Sequence, residues 1–145
     1  DYYDAWRKDA PDLHKSIGLV LLAVMLLRVL WRFISPPPPA LQSYSRMTRI
    51  GASFGHGFLY LSLFAVMIAG YLISTADGVG IPVFGLFEVP ALVSGLPDQA
   101  DTAGVIHFYL AWVLVIFSGL HALAALKHHF IDRDATLTRM LGRKA

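Results

Sequence analysis

Apolar residues gather in three long blocks, at about 13–33, 50–74 and 102–130, separated by polar or proline-containing stretches. At about 1.5 Å of rise per helical residue, each block can cross about 30 Å of hydrocarbon. The pattern predicts an all-α transmembrane helical bundle with three spans. Arg28 and Arg32 lie near one end of the first block. Long basic side chains there reach the headgroups, so they set the boundary without vetoing the span.

Composition sharpens this reading. Hydrophobic residues make up 56% of the 145-residue chain and charged ones 15%, with a mean hydropathy of +0.57. A water-soluble domain of this size would expose too much apolar surface, so lipid is the expected solvent for much of it. The absence of cysteine excludes disulfides, iron–sulfur clusters and thiolate-held zinc. The net charge of +2 is sorted by segment, which points to membrane orientation and away from nucleic acid.

Between the first two spans stand Arg32, Arg46 and Arg49 with no acid, and after the third come Arg133, Arg139, Arg143 and Lys144 against Asp132 and Asp134. Between the second and third spans stand Asp77, Glu88, Asp98 and Asp101 with no Lys or Arg. Residues 1–12 carry Asp1, Asp4, Asp9 and Asp12 against Arg7 and Lys8. The positive-inside rule places the first loop and the C-terminus in the cytoplasm, and residues 1–12 and 75–101 outside as outer loops.

Residues 36–39 are a run of prolines, a stiff spacer after the first span. Residues 81–92 are apolar but too short to span and are broken by Pro82 and Pro90, so they are expected over the outer mouth of the bundle. Residues 134–142 read as an interfacial foot: Asp134 caps a short helix with Leu137, Met140 and Leu141 on one face, ending at Gly142. Gly51-x-x-x-Gly55 permits close helix packing.

All six histidines, His14, His56, His107, His121, His128 and His129, lie in or at the ends of the spans. Buried in hydrocarbon, a histidine is costly without a partner and is a functional candidate. His107 and His121 are fourteen residues apart. At about 100° per residue they close to within about 40° of whole turns, and they lie about 21 Å apart along the axis. That distance is too long for one metal ion and suits two haems at different depths. His14, near the outer end of the first span, matches His107 in depth. Gly18, Ala111 and Ala125, each one turn from one of these histidines, leave room for a flat macrocycle. Within the chain, only His56 has a depth comparable to His121. Against this, a transmembrane histidine also serves in packing or proton handling, and His128–His129 also reads as a solvated helix end.

The residues His14-x-x-x-Gly18, Arg28, Gly55-His56, the His107…His121 spacing, Lys127-His128-His129-Phe130 and Thr136-Leu137-Thr138-Arg139-Met140-Leu141 together resemble the bacterial cytochrome b561 family. These are di-haem, quinone-linked membrane cytochromes related to the b subunits of formate dehydrogenase and hydrogenase. The resemblance implies four helices in the complete fold, with the first absent here, and a native protein that carries a further helix before Asp1. It implies haem b in two copies, His14 with His107 on the outer haem iron, and His121 paired with a histidine outside this chain. His56 and His128 are then free for ubiquinone near the inner haem. Arg28, fourteen residues from His14, lies near that depth for a propionate or quinone oxygen, or simply reaches the headgroups.

In standalone members the resemblance implies superoxide:ubiquinone oxidoreductase activity. Arg7, Lys8 and Lys15 are candidates to steer the anion, although residues 96–106 lack the basic side chains some members have and carry Asp98 and Asp101. The expectation is therefore an electron carrier of the bacterial inner membrane, with its C-terminus cytoplasmic. It would exchange electrons between a small-molecule or protein donor outside and quinone, with membrane lipid around it. The rival readings are the membrane-anchor subunit of a larger dehydrogenase or hydrogenase, and a small transporter or proton channel built on intramembrane His and Arg.

Overall fold

The computed structural model describes residues 2–36, 39–40 and 44–140, with the side chains of residues 2–5, 8, 139 and 140 outside that description. Asp1, two prolines of the spacer, and Leu141, Gly142, Arg143 and Lys144 of the tail lie outside the described residues, as do the side chains of Asp4, Lys8, Arg139 and Met140. The elements run α1 (Tyr2–Ile34), α2 (Arg46–Ser74), β1 (Ile81–Val83), β2 (Phe87–Val89), α3 (Gln99–Phe130) and α4 (Thr136–Met140). Three stretches, Asp9–Ile34, Arg46–Ser74 and Gln99–Phe130, are long and apolar enough to cross a membrane. The helical class expected from the sequence is therefore borne out.

The helices α2 and α3 begin a few residues earlier than the apolar blocks, and two further features differ from expectation. Residues 2–12, expected as an outer loop, begin α1 instead. Charged residues outside the hydrocarbon are compatible with helix, and Pro11 removes only one N–H from the ladder, the one that would bond the Arg7 carbonyl. Residues 81–92 hold a two-stranded antiparallel hairpin, where only an apolar cover was expected.

The chain divides into two compact units, residues Asp1–Pro37 with Leu63–Leu110 and residues Pro38–Ser62 with Ala111–Ala145, so α2 and α3 each give one stretch to each unit. In the first unit the hairpin packs on α1. Ile81 pairs with Val89, Pro82 with Glu88 and Val83 with Phe87. Alternation along β1 buries Ile81 and Val83, and Val83, at 1% exposure, is among the most buried side chains described. Burying such a valine contributes roughly 1.5–3 kcal/mol.

The hairpin turn places Phe84 and Gly85 at φ 49° and 69°, and the Leu86 N–H donates to the Val83 carbonyl at 3.0 Å. Two successive positive φ values define a type I′ turn, which glycine adopts freely and phenylalanine only with strain. Ser16 of α1 offsets this. Its buried hydroxyl accepts the Phe84 N–H at 3.0 Å and donates to the Asp12 carbonyl at 2.8 Å. Nearby, the buried Gln99 amide donates to the Leu72 carbonyl at 2.9 Å while its oxygen accepts the Leu96 N–H at 3.2 Å, tying the start of α3 to the end of α2.

In the second unit Ser45 caps α2: its hydroxyl accepts the Thr48 N–H at 3.1 Å. Phe58 of α2 packs on Phe117 of α3 with ring centroids 4.5 Å apart. Beyond α3, Asp134 accepts the Thr136 N–H at 2.8 Å and so caps α4. Outward-facing residues of the spans stay apolar and exposed, among them Leu27 and Leu61, as a lipid-facing surface requires.

Candidate haem-ligand site

The first unit brings together the two histidines matched for depth. His14 of α1 and His107 of α3 face each other with ring centroids 6.0 Å apart and planes at 83°. The His107 Nδ1 lies 2.8 Å from the Val66 carbonyl oxygen of α2. A carbonyl only accepts, so Nδ1 carries the proton and Nε2 keeps its lone pair. Gly70 makes that approach possible: a Cβ there would stand 3.0 Å from His107 Cε1 and 3.2 Å from Nδ1. A side chain at Gly18, one turn from His14, would meet nothing within 4 Å.

The spacing of the two rings fits a pair of histidines that would hold one haem iron between them. With metal–imidazole bonds of about 2 Å and about 1 Å from ring nitrogen to ring centre, two rings on one iron stand about 6 Å apart. A second-shell acceptor on Nδ1 is also the usual device for orienting a ligating histidine.

The second unit brings together His56 of α2 and His121 of α3, with centroids 5.0 Å apart and planes at 68°. The two rings stand closer together than the roughly 6 Å that a pair holding one iron would need. Gly55 lies beside them, but a Cβ there would stand 3.9 Å from His121 Nδ1, an ordinary contact. Arg28 is an exposed side chain of α1 in the first unit.

His128, also in the second unit, is half-buried. Its Nδ1 lies 2.9 Å from Asp134 Oδ2 and 3.0 Å from Asp132 Oδ2. Lys127 Nζ holds both Asp132 oxygens at 2.9 and 2.7 Å. The Tyr44 ring packs 5.4 Å from His128, and its hydroxyl bonds that of Thr136, which also bonds Asp134. Burial pushes the Asp134 carboxyl upward, but hydrogen bonds from Thr136 and the neighbouring His128 outweigh it and hold the group below its ordinary value. The ligand atoms of His128, Asp132 and Asp134 lie within 4.8 Å of one another. Lys127 already supplies a cation to that cluster.

Of the proposed steering residues, Lys15 is paired with Asp12 at 2.6 Å and the Lys8 side chain lies outside the described residues. Three contributors escaped the sequence reading. The Val66 carbonyl is a backbone group with no sequence signature. Gly70, an isolated glycine within an apolar span, was a readable sign of close approach. Tyr44 stands in a loop with no pattern to mark it.

The chain matches the family described as prokaryotic cytochrome b561 over residues 1–143. It is 59% identical over 144 residues to "Cytochrome b561 homolog 2" of Escherichia coli (strain K12), covering 99% of this chain and 77% of that protein. It is 37% identical over 142 residues to "Probable superoxide oxidase CybB" of Yersinia pestis, covering 98% and 78%. To "Cytochrome b561 homolog 1" of Escherichia coli (strain K12) it is 28% identical over 141 residues, covering 92% and 75%. With three membrane-length helices and this match along its length, the chain is a multi-pass membrane protein of the prokaryotic cytochrome b561 family, whose members carry b-type haem in electron transfer.

Proposed function

We propose that this protein carries electrons from a one-electron donor at the outer face of the bacterial inner membrane to quinone at the inner face. His14 and His107 hold one haem b, and His121 is a ligand of a second. The observation that carries this reading is the His14–His107 pair, 6.0 Å apart, with the His107 proton committed to the Val66 carbonyl. Bound haem supplies reversible one-electron chemistry, and the protein sets its position through ligand orientation and burial. Gly70 gives His107 its room and Val66 fixes its tautomer.

Arg32, Arg46 and Arg49 between the first two spans support a cytoplasmic placement of that loop, and hence of His56 and His128 toward the inner side. These two are the proposed polar contacts for quinone, which needs a few well-placed hydrogen-bond partners in an apolar pocket. Arg28 is the proposed partner of a propionate or quinone oxygen.

Superoxide is the proposed donor, supported by the name of the Yersinia pestis relative. Two tests separate donor from acceptor. Haem in the purified protein should be reduced by a superoxide generator, and superoxide dismutase should abolish that reduction. The reduced cytochrome should be reoxidised by a ubiquinone analogue. Reduction that is indifferent to superoxide dismutase overturns the donor, and a reduced haem inert to quinone overturns the acceptor.

A further inference from the structure

Converting a quinone to its hydroquinone takes two electrons and two protons, and forms two O–H bonds. Bound haem would supply the electrons; the protons have to come from water through a side chain. Imidazole is the side chain suited to that exchange near neutral pH.

We propose that His128 delivers these protons, with Asp132 and Asp134 as its positioning residues. The inference rests on the reading of quinone as acceptor beside His128. Both carboxylates meet the same nitrogen, Nδ1, at 2.9 and 3.0 Å. A carboxylate accepts, so the Nδ1 proton stays where it is and the exchangeable proton is the one on Nε2. One carboxylate suffices to orient an imidazole. Two, with Asp132 shared by Lys127, leave one negative charge to oppose the charge of the ring while both of its nitrogens hold protons.

The step balances. The Nε2–H bond breaks as an O–H bond forms on the reduced quinone, leaving neutral His128 with its Nδ1–H on the carboxylates. Nε2 then takes a proton from water, and the second transfer repeats the first.

The surroundings hold the ring in place yet leave it in reach of water. Side-chain exposures are 21% for His128, 31% for Asp132 and 15% for Asp134. Asp134 is fixed by the Thr136 N–H and hydroxyl, and Asp132 by Lys127. Tyr44, from the segment before α2, packs against the ring from another side. Among the described residues, Asp132, Asp134 and Tyr44 meet His128, with Lys127 one step away through Asp132.

The test is stopped-flow reoxidation of the reduced protein by decylubiquinone, and in parallel by ferricyanide, which takes electrons without protons. Asp134→Asn keeps an oxygen for the α4 cap while removing the charge. It should slow reoxidation by quinone about tenfold or more, the scale of a disturbed acid–base catalyst. Its rate ratio between H2O and D2O should rise above that of the unaltered protein, and ferricyanide should act at the unaltered rate. Asp132→Asn should act in the same direction, and His128→Gln at least as strongly as Asp134→Asn. If His128→Gln is slow with quinone but both Asp variants are normal, the relay is wrong and the quinone contact survives. If His128→Gln is also normal with quinone, both the relay and the His128 contact fail; a reduced haem inert to quinone in the unaltered protein is the separate result that overturns the acceptor reading. Equal slowing with ferricyanide makes the cluster structural and overturns the relay.

Discussion

His107 reaches across from α3 to set its Nδ1 2.8 Å from the carbonyl oxygen of Val66, in the turn of α2 that ends at Gly70. That contact decides which imidazole nitrogen is free, and it depends on a residue without a side chain. Gly70→Ala would put a methyl group 3.0 Å from Cε1, so the ring has to move. The variant should lose the haem proposed for His14 and His107, or shift its reduced-minus-oxidised band. Gly55→Ala, whose methyl would stand 3.9 Å from His121 Nδ1, should keep its haem and spectrum, and serves as the control.

Ser16 holds the hairpin through the strained Phe84 N–H at 3.0 Å. Ser16→Ala leaves that part-buried donor unmatched, at a cost of roughly 1 kcal/mol. Phe84→Asn should act in reverse, since Asn-Gly is the favoured type I′ pair, and stabilise by about 1 kcal/mol. Limited proteolysis in detergent should cut residues 78–95 faster in the first variant and more slowly in the second.

The 5.0 Å spacing of His56 and His121 sets the two rings side by side, and the proposed roles are ligand for His121 and quinone contact for His56. His56→Ala should therefore retain haem and be reoxidised more slowly by quinone. Loss of a haem from this variant, measured per mole of protein, would instead make His56 an axial ligand.

Asp134 supplies an acid-sensitive anchor for α4. Its folded value is held below the ordinary 3.8, so its contribution to stability is complete above that value. The contribution fades as pH falls from there through the lower folded value. Thermal unfolding in detergent should show the unaltered protein ahead of Asp134→Asn at pH 6, with the advantage vanishing in strong acid.

The three spans were legible because lipid imposes a simple rule: about 20 apolar residues, whatever their order. The pairing of His14 with His107 was legible because helical rise converts sequence position to depth. The hairpin was not, because its turn uses Phe84-Gly85 with no Asn-Gly signal and Pro82 lies within β1 as if it were a breaker. The helix at 2–12 is not legible because its charges read as loop, although charge opposes burial and not helix. The close approach of His56 to His121 depends on how α2 and α3 are rotated within one unit, which depth alone does not specify. His128 was named from its place in the sequence, but its grip by Asp132 and Asp134 comes from the chain reversing after α3.

Haem content per protein, read together with the reduced-minus-oxidised spectrum, tests the central claim most directly. The unaltered protein should show a b-type band. His14→Ala and His107→Ala should each lose the same single haem and leave the remaining spectrum largely intact. Full haem content in both variants would contradict the assignment of these two histidines as an axial pair.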